Sequence, residues 1–261
     1  MIVAGCDVGS LTAKAVIMDD GAVLSSHVMP VRSNPSLSAD EVMGIALSKS
    51  NLSMKDLEYA VGTGYGRKQI SFVNQVESEI TCHGKAVNWL FPTVRMIIDI
   101  GGQDAKAIRV DRQGNIVRYA YNDRCATGTG RFLEIMADAL DVRLEDMGEL
   151  SSKATNPANI SNQCTVFAES EVVSLVNDGR EIPDIISGLH RSMAHRVAAL
   201  LQSVELEADL AMSGGVAKNI GMFSALEQVL GIRIIRSDSD PQINGALGAA
   251  LIAREAVGKA A

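Results

Sequence analysis

The chain has 261 residues, of which 24 are basic and 31 acidic, so its formal net charge at pH 7 is −7. This balance argues against a nucleic-acid partner, because nucleic acid selects for a basic protein face. No apolar run reaches the length of a membrane span, and no basic region followed by an apolar one opens the chain. We therefore expect a cytoplasmic protein with reduced thiols and no membrane partner.

Apolar patterning predicts two halves that begin in the same way. The first half contains strands at residues 2–8, 13–18, 22–30 and 57–62 and helices at 39–50 and 79–90. The second contains strands at 95–100, 105–110, 115–121, 206–212 and 232–236 and helices at 130–140, 165–176, 185–201, 220–230 and 245–257. Meanders followed by helices, twice over, predict an α/β fold with a cleft between two similar halves and a boundary near residue 94.

A ten-residue signature occurs once in each half. The copies run from Asp7 to Val16 and from Asp99 to Ile108, with Asp, Gly, Ala, Lys and Ala at the same positions. A carboxylate after a buried strand can reach magnesium, and a glycine lets backbone N–H groups approach phosphate. Two ordinary β-turns are the alternative, which the repetition makes weaker. The pair predicts a clamp for a polyphosphate and its metal.

Other polar and glycine-rich turns are candidates for the same ligand. Gly128–Gly130 precedes a predicted helix, whose N–H groups can bind an anion, although a plain helix start is the simpler explanation. Gly214–Val216 lies between a strand and a helix, where bare backbone can accept an adenosine; a tight strand-to-helix turn explains it equally well. The glycine-rich loop 62–67 matches no phosphate pattern and is left as a contact surface.

The four cysteines are not paired as CxxC. Cys125 and Cys164 each lie just ahead of a predicted helix, where a thiolate is stabilised. Two thiolates are too few for a cluster or for tetrahedral zinc, but a two-fold axis beside them would supply four. A pair of small buried residues is the alternative. Cys6 is expected in the core, and Cys82-His83 as a half-buried structural pair rather than a ligand pair.

The duplicated Asp-x-Gly hairpins and the Gly214-Gly215 turn resemble the acetate and sugar kinase, Hsp70 and actin superfamily. Within it the chain is similar to ATPase activators of 2-hydroxyacyl-CoA dehydratases and to ATP-binding subunits of benzoyl-CoA reductases. The similar stretches span nearly the whole chain; they are residues 63–67, 99–104, 122–131, 164–171, 214–217 and 244–248. The resemblance implies two actin-like (ribonuclease H-like) domains with ATP between them: 1–94, completed by 245–261, and 95–244, which contains the cluster cysteines.

The resemblance also implies an activity and its cofactors. ATP hydrolysis would drive one-electron transfer from a four-iron four-sulfur cluster to a partner iron–sulfur dehydratase of a 2-hydroxyacyl-CoA. The cluster would be shared by two subunits of a homodimer, or of a heterodimer with a homologous subunit, and Cys125 and Cys164 match the two ligands of each. Ferredoxin or flavodoxin would be the electron donor.

The resemblance further implies roles for individual residues in binding ATP or ADP with Mg²⁺. Asp7, Asp99, Gln103 and Asp104 would be catalytic, with the first two also near the metal, and Gln103 and Asp104 orienting the attacking water. Nucleotide contacts are implied for the two hairpins and the later turns. These residues are Gly9, Ser10, Leu11, Thr12, Lys14, Gly101, Gly102, Gly128, Thr129, Gly130, Gly214, Gly215, Val216, Asn219 and Gln242.

Alternative functions stay open at this point. A benzoyl-CoA reductase subunit, or an activator of a related double-cluster reductase, shares the same motifs. A small-molecule kinase would need a phosphoryl acceptor site, for which no dedicated base is found. An actin-like polymerising scaffold and a dimer with zinc between its four thiolates are further alternatives.

Overall fold

The computed structural model describes residues 1–161, 164–207 and 209–260. Within them the strands form two five-stranded sheets. The first sheet contains β1 (Ile2–Val8), β2 (Thr12–Asp19), β3 (Ala22–Pro30), β4 (Tyr59–Thr63) and β5 (Gln75–Val76). The second contains β6 (Met96–Ile100), β7 (Ala105–Val110), β8 (Ile116–Asn122), β9 (Leu210–Ser213) and β10 (Ile234–Ile235).

The two sheets have the same strand order. It is β3-β2-β1-β4-β5 in the first and β8-β7-β6-β9-β10 in the second, so each strand of one half has a counterpart in the other. In the first sheet β1 pairs antiparallel with β2 and parallel with β4, which makes the sheet mixed. The duplication inferred from a ten-residue signature is therefore confirmed as a duplication of a whole sheet.

Helices surround both sheets. They are α1 (Pro35–Lys49), α2 (Glu79–Leu90), α3 (Gly130–Ala139), α4 (Met147–Ser152), α5 (Thr165–Asn177), α6 (Ile182–Ser203), α7 (Ile220–Leu230) and α8 (Asn244–Ala260). None of the helices in the described part of the chain is both long enough and apolar enough to span a membrane.

The chain divides into two structural units. The first comprises residues 1–97, 109–117 and the segment from Ser237 onward, and the second comprises residues 98–108 and 118–236. The domain limits predicted from the sequence, 1–94 with 245–261 and 95–244, stay a prediction. Ala261, at the end of the predicted closing helix, lies outside the described residues.

In the first unit, apolar side chains cover both faces of β1. Val3 packs in a cluster with α8 and α2, while Ala4, Cys6 and Val8 pack in a second cluster with α1. Alternate residues of a strand point to opposite faces, so β1 has small or apolar side chains from Ile2 to Cys6 and its one charged residue, Asp7, comes next to its end. Gly5 allows the close approach of α8, because a Cβ at this position would overlap the carbonyl oxygen of Ala246.

Gly248 allows an equally close contact between α8 and α2. A Cβ at this position would overlap the carbonyl oxygen of Cys82, a backbone atom that cannot rotate away. We expect Gly248→Ala to lower the free energy of unfolding by at least about 3 kcal/mol. Gly258→Ala is the matched control, since no atom lies within 4 Å of its Cβ and alanine in a helix is favoured by up to about 1 kcal/mol. Urea unfolding midpoints measure both, and equal midpoints would contradict this packing.

In the second unit, β6 is buried along its whole length and joins β7 through a tight turn. Helix α6 buries an apolar stripe along its length. Ile185, Leu189, Met193 and Val197 on that stripe are all buried. The unit therefore has a core of its own, and the β6–β7 turn projects from a rigid strand.

Candidate functional site

The first Asp-x-Gly hairpin contains an ion pair between its two strands. Asp7 on β1 lies opposite Lys14 on β2, and the Lys14 Nζ is 3.2 Å from the Asp7 Oδ2. The Gly9 N–H donates to the Thr12 carbonyl at 3.0 Å and closes the turn. Asp7 is buried, and the Lys14 side chain is only 13% exposed. The carboxylate predicted to face the metal thus has a cation beside it.

The second hairpin repeats this arrangement and adds a second carboxylate. The Lys106 Nζ lies 3.4 Å from the Asp99 Oδ2 and 2.6 Å from the Asp104 Oδ2, and all three residues are buried. The Ser213 Oγ donates to the Asp99 Oδ1 at 2.8 Å. The Gly101 N–H donates to the Asp104 carbonyl at 2.9 Å, as Gly9 does to Thr12. The structure thus brings two predicted catalytic carboxylates together within one unit.

The two hairpins differ in charge because Asp104 occupies the position of Thr12. Within residues 7–16 one carboxylate and one ammonium group cancel, whereas within residues 99–108 two carboxylates and one ammonium group leave a formal net charge of −1. Carboxylate and hydroxyl oxygens are hard ligands of the kind that Mg²⁺ prefers. The donor set of the second hairpin therefore fits Mg²⁺.

The residues at the hairpin tips are the more accessible ones. Gln103 is exposed, and Ser10, Leu11 and Gly102 are partly exposed. Side chains and N–H groups at such a tip can reach a ligand without any rearrangement of the buried pairs beneath them. The predicted contacts of these residues with nucleotide stay a prediction.

A glycine from the neighbouring strand packs against each carboxylate. Gly214 directly follows β9 with a φ of +86°, a conformation that favours glycine. A Cβ at this position would overlap the Ile100 carbonyl oxygen and lie 2.8 Å from the Asp99 Oδ1. Because β9 is the neighbour of β6, the Gly214 turn closes over the end of the strand that contains Asp99.

The loop 62–67, which the sequence left unassigned, is the counterpart of this turn. Gly64 directly follows β4 with a φ of +93°, and a Cβ there would overlap the Val8 carbonyl oxygen and lie 2.5 Å from the Asp7 Oδ1. The signal was present in both halves, as a hydroxyl residue followed by glycine at the end of a strand: Thr63-Gly64 and Ser213-Gly214. Sequence reasoning recognised only the second of these turns.

The start of α8 also contacts the first carboxylate. A Cβ on Gly245 would lie 2.6 Å from the Asp7 Oδ2. The neighbouring Asn244 is buried, and among the described residues its Oδ1 has no hydrogen-bond partner. A buried amide oxygen without a partner is costly, so this atom is available to accept a hydrogen bond from a ligand. Gly64 and Gly245 thus allow two backbone segments to pack closely against Asp7.

The segment Gly128–Gly130 connects the second hairpin to α3. The N–H groups of Gly130 and Arg131 donate to the carbonyls of Gly101 and Gly102, both at 2.8 Å. These two N–H groups are therefore engaged within the protein, and a nucleotide contact of this segment, which stays a prediction, cannot depend on them. What the hydrogen bonds establish is a direct link between the hairpin tip and the start of α3.

Cys125 and Cys164 are free and partly exposed, and each lies near a helix start. Cys164 is the N-cap of α5; the two residues before it, Asn162 and Gln163, lie outside the described residues. In the described ranges no three His, Cys, Asp or Glu side chains are grouped as a metal site. One chain thus offers two thiols, so this donor set fits a four-cysteine site only when two copies contribute.

The remaining cysteines are buried in the core of the first unit. Burial raises the pKa of the Cys82 thiol to about 12. Burial, with the nearby Asp7 charge adding to it, also raises the pKa of the Cys6 thiol. Both therefore stay protonated at neutral pH and are poor metal ligands. The expectation that Cys6 belongs to the core is confirmed.

Asn219 and Gln242, both predicted to contact nucleotide, have structural roles in their own turns. The Asn219 Oδ1 accepts from the Met222 N–H at 3.1 Å and caps α7, and its Nδ2 lies 3.0 Å from the His190 Nε2. The Gln242 N–H donates to the Asp240 Oδ1 at 2.9 Å. Gly215 and Val216 form the short turn between β9 and Asn219. Contacts of these residues with nucleotide stay a prediction.

His190, which hydrogen-bonds to Asn219 in this turn, makes the stability of the fold depend on pH. Burial lowers its pKa from 6.5 to about 4, so the neutral ring accepts the Asn219 hydrogen bond. Between pH 6.5 and 4 the unfolded chain binds a proton that the folded one does not, so stability falls as the pH falls. We expect a loss of about 3 kcal/mol across this window. Urea unfolding of wild type and His190→Gln at both pH values tests it, and an unchanged pH dependence in the variant would contradict it.

Comparison with known proteins identifies the family. The sequence matches the BadF/BadG/BcrA/BcrD ATPase family over residues 4–253. It is 47% identical over 260 residues to the activator of lactoyl-CoA dehydratase of Anaerotignum propionicum, covering 99% of this chain and 100% of that protein. These matches are long enough and close enough that the chain belongs to the BadF/BadG/BcrA/BcrD ATPase family.

Solved structures agree with this assignment. The activator of the 2-hydroxyisocaproyl-CoA dehydratase from Clostridium difficile with bound ADPNP matches with a TM-score of 0.95 and 38% identity, over 100% of this chain and 97% of that one. Component A of the Acidaminococcus fermentans (R)-2-hydroxyglutaryl-CoA dehydratase matches with a TM-score of 0.93 and 41% identity, over 99% of both chains. The predicted α/β fold of two actin-like halves, the ATPase class and the resemblance to dehydratase activators are confirmed.

Proposed function

We propose that this protein activates a 2-hydroxyacyl-CoA dehydratase by ATP-dependent transfer of one electron. The observation that supports it most is the pair of hydrogen bonds from the start of α3 to Gly101 and Gly102, because they connect a predicted phosphate turn to the segment that contains Cys125. Relatives that match over nearly the full length are named as activators of such dehydratases. A phosphate-binding turn that is hydrogen-bonded to a cysteine-bearing segment would allow ATP hydrolysis to drive the donation of an electron.

Nucleotide binding is assigned to the two hairpins. Backbone N–H groups at the tips, with Ser10 and Thr12, donate to phosphate oxygens, and Gly214 leaves bare backbone for the adenosine. Asp7 and Asp99 are the carboxylates that would hold Mg²⁺, which would neutralise phosphate charge. Lys14 and Lys106 keep the buried carboxylates in place, since each ammonium group contacts the carboxylate near the end of the first strand of its hairpin.

Hydrolysis of the terminal phosphate is assigned to the second hairpin. Gln103 is exposed at its tip and can orient the attacking water through its amide. Asp104 is fixed by its 2.6 Å contact with Lys106 and faces the same turn. The net negative charge of this hairpin favours a hydrated cation and a polarised water over a bare anion.

The cysteines are assigned to a metal centre between two copies of the chain, in a homodimer. Cys125 and Cys164 of each copy would hold one four-iron four-sulfur cluster, which supplies a single low-potential electron when bound. Ferredoxin or flavodoxin would provide that electron, and the dehydratase would accept it. The exposed Val166 and Phe167 beside Cys164, at 65% and 68% exposure, offer apolar surface for such a dimer.

The connection between the second hairpin and α3 would couple ATP hydrolysis to the position of the cysteine segment. A turn that contacts the terminal phosphate changes position when that phosphate is lost, as in other nucleotide switches. The carbonyls of Gly101 and Gly102 would carry α3 with them, and with it the segment around Cys125. The environment and exposure of the thiols then differ between the ATP and ADP states, which is what an ATP-driven change in electron affinity requires.

Anaerobic purification followed by iron analysis and EPR tests the proposal. We expect about four irons per dimer, a reduced-state EPR signal that changes on addition of ATP, and ATP turnover without any added alcohol or carboxylate. Mixing with a 2-hydroxyacyl-CoA dehydratase, ATP and a reductant should start dehydration. A colourless, iron-free protein from the same preparation would overturn the redox proposal. Turnover that required an added hydroxyl or carboxyl acceptor would instead identify a kinase.

A further inference from the structure

The two cysteine-bearing segments are held very differently within the second unit. Helix α3, after the Cys125 segment, buries Phe132, Leu133 and Met136 and is bonded to the hairpin tip. Helix α5, after Cys164, buries only Ala168 and Val172 among its described residues. A helix with so few buried contacts belongs to the least stable part of a structure, so single hydrogen bonds weigh heavily in its position.

One side-chain hydrogen bond joins the two segments. The Thr127 Oγ1 and the Thr165 Oγ1 are 3.2 Å apart. Thr127 is fully buried two residues after Cys125, and Thr165 is the first helical residue after Cys164. This contact bridges 38 positions of sequence between the neighbours of the two cysteines.

The Thr127 side of this contact is fixed by its own surroundings. The Asn122 Nδ2 donates to the Cys125 carbonyl at 2.9 Å and to the Thr127 carbonyl at 3.4 Å. The Thr129 Oγ1 donates to the Ala126 carbonyl at 2.7 Å. The segment 122–129 is therefore tied from the end of β8 to the start of α3, and Thr127 presents its hydroxyl from a rigid backbone.

We infer that Thr127 and Thr165 are positioning residues that transmit the movement of the hairpin tip from the Cys125 segment to the Cys164 segment. The inference rests on the proposed function and adds the path by which a movement of the hairpin tip reaches Cys164. The tip at Gly101 and Gly102 acts on α3 and Cys125 through backbone hydrogen bonds. It reaches α5 through the contact between α3 and α5 and through the threonine pair, which is the directional link of the two. Loss of one hydroxyl then weakens the coupling of Cys164 while leaving Cys125 coupled.

Thiol labelling of the iron-free protein tests this route. Wild type and Thr127→Val are reacted with N-ethylmaleimide with and without ATP, and mass spectrometry follows each cysteine separately. In wild type we expect ATP to change the labelling rates of both Cys125 and Cys164. In Thr127→Val the ratio of rates with and without ATP should hold at Cys125 and shrink about fivefold at Cys164, the factor that about 1 kcal/mol of hydrogen bonding corresponds to.

Conservative variants separate positioning from folding. Thr127→Ser keeps the hydroxyl and should restore the wild-type response, which a purely steric role of the threonine methyl would not allow. Thr165→Val should act as Thr127→Val does, and it serves if the latter fails to fold, because Thr165 is only partly buried. Cys6 and Cys82 are buried thiols and should stay unlabelled, which confirms that each variant is folded.

The outcomes distinguish this inference from the proposed function. An unchanged ATP response of Cys164 in both valine variants would overturn the threonine route and leave the proposed function intact. A wild type that binds ATP but shows no response at either cysteine would overturn the coupling and the route together. ATP dissociation constants should agree within about twofold in all variants, since neither threonine is assigned to the nucleotide.

Discussion

Cys125→Ala should reduce the iron content of anaerobically purified protein from about four per dimer to less than one and abolish activation of the dehydratase. Removing one thiolate from each copy leaves two of the four ligands, and two are too few for a cluster. Cys125 is partly exposed, so alanine changes little packing. ATP binding should be largely retained, because the hairpins are untouched. Iron analysis, nucleotide titration and a coupled dehydratase assay measure the three quantities.

The matched control is Cys82→Ala. This cysteine is buried against α8 and stays protonated, so its loss costs packing energy of about 1–2 kcal/mol and no iron. Equal iron contents in the two variants would refute the assignment of Cys125 as a ligand. Loss of iron from both would instead show that the metal centre depends on the fold as a whole.

Lys106→Met should lower the free energy of unfolding by about 3–5 kcal/mol, the usual effect of leaving buried charges without their counterion. The Lys106 ammonium contacts both Asp99 and Asp104, and all three groups are removed from solvent. Methionine fills the space of the lysine stem, so the loss reports charge rather than volume. Chemical denaturation at neutral pH in the absence of nucleotide gives the value.

Lys14→Met is the control offered by the duplication itself. Lys14 has the equivalent position, but it faces a single carboxylate and its side chain is less buried. Its loss removes the ammonium contact of one carboxylate instead of two, so we expect a clearly smaller destabilisation. A larger loss for Lys14→Met than for Lys106→Met would contradict the charge difference between the hairpins.

The sequence predicts the regular elements well where periodicity is strong. Strand β3 and helices α2 and α7 begin and end where their patterns predict. Helix α1 begins four residues before its predicted start, because Asn34 caps it and Pro35 opens it. Strand β9 begins later than predicted, since Asp209 takes a φ of +61° just ahead of it. The two-residue β5 and six-residue α4 are too short to show a period.

The candidate site likewise has one part that the sequence predicts and another part that only the structure reveals. The carboxylates, lysines and glycines of the hairpins repeat in sequence, so the duplication reveals them. The turn at Gly64 also repeats, as Thr63-Gly64 and Ser213-Gly214, but this two-residue signal was missed. The hydrogen bonds from the start of α3 to the second hairpin join distant segments and leave no pattern in the sequence. The Thr127–Thr165 contact has the same character, because each threonine alone is indistinguishable from an ordinary helix-start residue.

Two cysteines are buried and two are partly exposed, and this difference determines which of them oxygen can damage. Oxidants attack thiolates, so Cys6 and Cys82, held as buried thiols, are spared. Damage by oxygen is then confined to Cys125 and Cys164, at the edge of the second unit's core. With the proposed cluster bound at these two cysteines, we expect inactivation in air to be a loss of that cluster from an intact fold. Reductant, iron and sulfide can reverse it until those two thiols pass the sulfenic stage.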